Sequence, residues 1–226
     1  KLQALGDFPI IRNVMSDKDK SILVEASKRS PRNEVARFIL SDLDSAITLL
    51  SQSSPDGKKQ RISKNVAQLF KSRVALYEGT WLKYFSGTAF VPKGPGWPGA
   101  AKSYNSNYAF PTGSIAGEID YFLTQAMESA AAVADNVPLV SNTGIIESAN
   151  NENPYFSMFG AVDMSSYGEV LLWRQYNQSL VTHNVPVYAQ RGNYAVGLTR
   201  GLVESFLMSN GLPIYAAGSG YAGDDY

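Results

Sequence analysis

The chain has 226 residues, with 20 Lys plus Arg balanced by 20 Asp plus Glu, and no cysteine. Zero net charge lacks the basic surplus that a nucleic-acid binder needs to displace counterions. The missing cysteines exclude disulfides, zinc–thiolate sites and a cysteine nucleophile, which fits a reducing compartment or an exported protein that never relied on disulfides.

Hydrophobic residues make up 44% of the chain, an ordinary globular value, and no apolar run reaches the length of a membrane span. Residues 1–14 read as an extended segment with a turn at Gly6-Asp7. Residues 16–28 form a short helix opened by Ser16 or Asp17, and Pro31 breaks the pattern. A helix over 34–50 follows, with Val35, Phe38, Ile39, Leu43, Ala46, Ile47 and Leu50 on one stripe. The turn SQSSPDGKKQ leads into the longest helix signal, capped by Ser63 and running to Phe85. Val66, Leu69, Phe70, Val74, Tyr77 and Trp81 mark its stripe, and Ala67, Ala75 and Gly79 leave room for a close neighbour. So short a link makes the pair an antiparallel αα-hairpin, about 34–85.

Composition then changes. Residues 86–113 contain four prolines, many glycines and the aromatics Phe90, Trp97, Tyr104, Tyr108 and Phe110, without helical period. A loop this long is functional or disordered, and its aromatics argue against disorder. Thr112 or Ser114 caps a third helix reaching about Ala134, with Ile115, Ile119, Phe122, Leu123, Ala126, Ala130 and Val133 inward. Further helices and loops fill 114–226: a turn-rich piece over 136–154, a short helix at 154–159, a possible strand at 169–176, and a last helix over 199–209 with Leu202, Val203, Phe206 and Leu207 inward, stopped by Gly211. The chain does not begin with methionine and GSGYAGDDY closes no element, so either the natural start has been removed or the chain is an internal piece, and a cut at the end is expected.

Four blocks in order resemble the SusD/RagB family: LGDFPII (5–11), RNEVARFILSDLDSAITLL (32–50), RISKNVAQLFKSRVALYEGTW (61–81) and GLTRGLVESFLMSNGLPIY (197–215). The resemblance implies an all-α fold, a tetratricopeptide-like helix-hairpin scaffold (αα superhelix) with long irregular loops carrying the ligand site. It also implies a surface-exposed outer-membrane lipoprotein that binds a glycan and delivers it to a SusC-type TonB-dependent transporter. Residues 1–226 would then be a single SusD-like domain fragment, lacking the family's lipidated cysteine, N-terminal helices and C-terminal part. On that resemblance the membrane would be reached only through the absent lipid anchor.

Enzyme chemistry finds little support in the residues. His183 is the one histidine and has no spaced partner for a triad. Asp17-Lys-Asp19 starts like a calcium loop but has Ile22 where glycine must turn the chain. Gly218-Ser-Gly220-Tyr-Ala-Gly223 spells GxGxxG without the strand before or the helix after that would hold a pyrophosphate. Asp42 and Asp44 lie two apart and point away from each other on a helix; Asp224-Asp225 has nothing to position it. No cofactor, metal or catalytic residue is expected, and the chain reads as a non-enzyme.

Sugar binding asks for an aromatic plane against the C–H face of a pyranose and for amides or charges at its hydroxyls. Trp97, in the frame GPGWPGA, is the first candidate for that plane; the competing role is a loop anchor tucked onto the helices. Tyr104, Asn105, Asn107 and Tyr108 supply a second plane and amides, and Arg174 a charge. Trp81 and Tyr77 belong to the core by helical spacing, and Trp173 packs as well. The alternative to glycan binding is a helical-repeat scaffold that holds a protein or peptide; a glycoside-processing enzyme is a third reading, without a nominated acid pair.

Overall fold

The computed structural model describes residues 1–145, 153–177, 179, 181–191 and 197–223. They hold eight α-helices and two short 3₁₀ turns, and their only β pairing is three isolated bridges, so the protein is all-α. The chain divides into two compact units, Lys1–Gln175 and Tyr176–Tyr226.

The first unit begins with one helical turn, α1 (Leu2–Leu5), where an extended segment is expected from sequence. Gly6, at φ 64°, ends it. A single antiparallel bridge between Phe8 and Ser30 then ties the chain start to the residues ahead of the hairpin. Helix α2 (Lys20–Ala26) is capped by Asp19, not by Ser16 or Asp17; its carboxylate accepts from the Ser21 and Ile22 amides. The Asp17–Asp19 run is thus a helix start.

Pro31 supplies the extended residue from which α3 (Arg32–Leu49) starts. Helix α4 (Lys64–Tyr84) starts after Ser63, which has the extended backbone of an N-cap but no side-chain capping bond. Ser114 does cap α5 (Ile115–Ala134), its Oγ accepting from the Gly117 amide at 3.1 Å. Cross-links fix directions: Arg32 meets Glu78, Asp44 meets Lys71, and Gln52 meets Asn65, so rising numbers on α3 face falling numbers on α4. Ser72 bonds the Ala126 carbonyl while Gly79 lies under Leu123, which makes α5 antiparallel to α4.

The core sits where these three helices meet, with Leu40, Leu82, Val91 and Phe122 fully buried. Each such side chain contributes roughly 1.5–3 kcal/mol by leaving water. On α5 the expected stripe holds: Phe122, Ala126 and Val133 are buried and the rest of it half-buried. On α4 it does not. Ala67, Lys71, Ala75, Glu78, Gly79 and Leu82 face inward, whereas Leu69 and Phe70 are exposed. The small residues win because α5 packs so closely that a Cβ on Gly79 would come within 2.9 Å of Leu123 Cδ2.

Helix α6 (Pro154–Phe159) starts at Asn153, whose Oδ1 accepts from the Tyr155 and Phe156 amides. Residues 169–176 form no strand; the Trp173 amide bonds the Lys59 carbonyl at 3.1 Å and no ladder extends from it.

Within the second unit, α7 (Val185–Arg191) is a helix that the sequence reading does not anticipate. Thr199 caps α8, but that helix covers only Arg200–Val203. Leu202, Val203, Phe206 and Leu207, expected inward, are exposed. A turn with Gly211 at φ 79° and a Leu207–Pro213 bridge replaces the helix's second half.

Candidate ligand cleft on the aromatic loop

The loop over 86–113 is folded tightly against the helices. Gly94 can only be glycine, since a Cβ there would stand 1.8 Å from the Thr88 carbonyl oxygen. Trp97 follows and lies over Gly99, where a Cβ would come within 2.2 Å of the indole. The indole is 6% exposed, and its Nε1–H donates to Asp7 Oδ2 at 2.8 Å. Asp7 reaches this place through the Phe8–Ser30 bridge, and its other oxygen accepts from the Arg32 amide at 2.9 Å.

Two more bonds fasten the loop. Tyr108, packed on Trp97 with ring centroids 5.6 Å apart, donates its hydroxyl hydrogen to Asn33 Oδ1 at 2.8 Å. Thr112 Oγ1 donates to Glu118 Oε2 at 3.0 Å. Glu118 is buried on α5 and also accepts from Asn33 Nδ2 and from both ends of the Arg37 fork, at 2.6 and 2.9 Å. Burial pushes its carboxyl up, but the bonds from Arg37, Asn33 and Thr112 together hold it below the usual glutamate range. Burial likewise pushes the Tyr108 phenol up, so it stays a neutral donor. Beside it, Arg32 bonds the buried Glu78 through Nε and Nη2 and stacks 4.1 Å from the Trp81 ring centroid. Every buried side-chain polar atom among the described residues has a partner. A buried network of this kind holds its surroundings in one geometry.

A cleft of about 600 Å³ opens between residues 3–7, residues 27–32 and the loop. Trp97, Tyr104 and Asn105 of the aromatic loop line it. Trp97, however, is a buried anchor and not an offered plane. The accessible planes are Phe90, 61% exposed, and Tyr104, 41% exposed. Asn105 donates from Nδ2 to the Gly99 carbonyl at 3.2 Å, which fixes its amide. Tyr108 lies behind the wall, and Asn107 is exposed but lines no part of the cleft.

Arg174 stands apart, in a second depression with Gln60, Leu172, Trp173 and Gln175. Trp173 is pinned there by its Nε1–H to the Lys58 carbonyl at 2.7 Å.

Sequence reasoning misses Gln3, Arg29 and Lys102 on the first cleft, and places Trp81 only in the core. Phe90 carries a signal as a loop aromatic; Arg29 and Lys102 carry none, because only folding brings them together.

Comparison with family models, curated proteins and solved structures finds no match to this chain.

The other motifs resolve locally. His183 is exposed, stacked edge-on to Tyr176, and accepts from the Val185 amide at 3.3 Å. Asp44 bonds Lys71 at 2.7 Å, whereas Asp42 is exposed. Gly218, Gly220 and Gly223 all take positive φ in a turn-rich segment with no helix after it among the described residues. Asp224 and Asp225 lie outside the described residues. No group of three His, Asp or Glu among the described residues could hold a metal ion. None of the described helices is long and apolar enough to cross a membrane.

Proposed function

We propose that the chain binds an oligosaccharide without breaking it, in the cleft of the aromatic loop. In this reading it acts as a SusD/RagB-like protein at the outer-membrane surface, anchored by lipid and handing the glycan to a SusC-type TonB-dependent transporter. The four sequence blocks support the family, and the paired helices α3–α5 fit a tetratricopeptide-like scaffold. The observation that carries sugar binding is the pairing of two accessible rings, Phe90 and Tyr104, with a fixed amide, Asn105, on one cleft of ligand size. The loop is held by Trp97–Asp7, Tyr108–Asn33 and Thr112–Glu118, so a ligand meets a wall already in place.

Non-catalytic binding fits the charges. Asp7 is the single carboxylate on this cleft, and both its oxygens are engaged. Glycoside hydrolysis asks for two carboxyl groups about 5–9.5 Å apart across the bond.

Calorimetric titration of the folded protein with a panel of neutral and acidic oligosaccharides tests the reading. At least one binds, and Phe90→Ala or Tyr104→Ala weakens it about ten-fold or more. A well-folded sample that binds nothing across the panel overturns it.

One observation favours a peptide-binding scaffold instead. Leu69, Phe70 and Leu76 are exposed on α4, an apolar face that could take a partner segment. Binding to a peptide library, lost in Phe70→Asp and retained in Tyr104→Ala, would establish that reading.

A further inference from the structure

We infer that the cleft selects acidic glycans, those carrying a carboxylate or a sulfate ester, over neutral ones. The inference rests on the glycan-binding reading above and adds the chemical class of the ligand.

Charge on the cleft wall is lopsided in a chain whose net charge is zero. Three cations, Arg29, Arg32 and Lys102, stand against one carboxylate, Asp7. Arg32 is neutralised by the buried Glu78, which takes two points of its guanidinium fork. Asp7 is saturated by the Trp97 indole and the Arg32 amide. Arg29 and Lys102 are left. Both are exposed, and among the described residues neither side chain makes a hydrogen bond or an ion pair. The neighbouring Lys28 differs, since it is paired with Glu25.

These two cations line the same cleft as Tyr104, whose ring also has Lys28 Nζ 5.7 Å from its centroid. Arg29 precedes it across the fold, with its backbone amide 3.4 Å from the Tyr104 hydroxyl oxygen, and Lys102 lies two residues away in the chain. A pyranose laid on Tyr104 therefore carries its substituents toward two cations that no hydrogen bond or ion pair among the described residues engages. A neutral sugar would leave Lys102 without a counterion and Arg29 with only its longer-range attraction to the Asp7 carboxylate. A carboxylate or a sulfate ester would accept charge-assisted bonds from them, and the planar fork of Arg29 suits either oxyanion in bidentate form.

The test is titration calorimetry on the full chain with four tetrasaccharides: tetragalacturonate, its fully methyl-esterified form, a κ-carrageenan tetrasaccharide and maltotetraose. They supply a carboxylate, the same backbone without charge, a sulfate ester and a neutral sugar. Tetragalacturonate or the carrageenan binds at least about ten-fold tighter than both neutral sugars. That margin disappears in Arg29→Gln/Lys102→Gln, whose circular dichroism is unchanged because both residues are exposed. It also shrinks as salt rises from about 0.1 to 1 M and the screening length falls from about 10 to about 3 Å. Which acid binds distinguishes carboxylate from sulfate, and either supports the inference. Neutral sugars bound as tightly as acids overturn it while leaving glycan binding intact, and an acid preference that survives the double substitution overturns it too. A folded protein that binds none of the four removes this inference and the glycan reading together.

Discussion

Glu118 is held on both carboxylate oxygens, Oε1 by Asn33 and Arg37 and Oε2 by Arg37 and Thr112. One side chain on α5 thereby ties down α3 and the end of the aromatic loop. Desolvation opposes its charge, and the hydrogen bonds outweigh desolvation, so its folded pKa lies below the ordinary value. The sign follows from linkage: unfolded chains bind the proton first, at about pH 4.3. Stability from this group is complete above that pH and is lost as pH falls through the lower folded value. Asp7 and Glu34 are shifted upward, chiefly by burial, and pull the other way. Comparison with Glu118→Gln isolates the one group. Urea midpoints across pH 7 to about 3 should start lower in the variant and fall less steeply than in the parent. Parallel curves would show that Glu118 carries no such linkage. At this scale the sequence says little, since Asp7, Asn33, Tyr108 and Glu118 share no local pattern and meet only after the chain has folded.

Helix α4 shows what periodicity can and cannot tell. Its existence, length and pairing with α3 are legible, because an apolar rhythm between a proline-and-glycine turn and a capping position leaves few alternatives. Which face turns inward is legible only in part: Val66, Val74, Tyr77 and Trp81 are half-buried as their spacing predicts, and the small residues signal a close neighbour. The large side chains Leu69 and Phe70 lose to Ala67, Ala75 and Gly79, since close approach of α5 requires small residues. Gly79→Val tests this. A Cβ at that position would already stand 3.2 Å from the Phe122 Cβ, and the valine methyls reach further, into Leu123. Overpacking should cost about 1–3 kcal/mol, despite valine's better helix propensity, and lower the thermal midpoint. An unchanged midpoint would mean that α4 and α5 separate without cost. The last helix makes the complementary point: Leu202, Val203, Phe206 and Leu207 have the right spacing, yet only residues Arg200–Val203 are helical.

Over the whole molecule, the core cluster found among the described residues runs from Leu2 to Ala126, all inside the first unit. Residues 1–175 expressed alone should therefore fold, with a cooperative thermal transition followed by circular dichroism at 222 nm. A non-cooperative melt, or a chain that stays unfolded, would show that the second unit is part of the stabilising core. The cleft belongs to the same unit, so the shortened protein should keep the ligand affinity of the full chain.

Residue order alone was enough for the all-α class, the α3–α4 hairpin, the third helix with its cap narrowed to Thr112 or Ser114, and the position of a long aromatic loop. Local rules suffice for these, because hydrogen bonds within a helix and the steric limits of proline and glycine act over a few residues. It took the folded chain to make Trp97 an anchor, to leave Phe90 and Tyr104 as the accessible rings, and to put Arg29 and Lys102 on one wall with them. Those outcomes depend on contacts between segments tens of residues apart, and burial of a side chain is a property of what covers it, which no local pattern records.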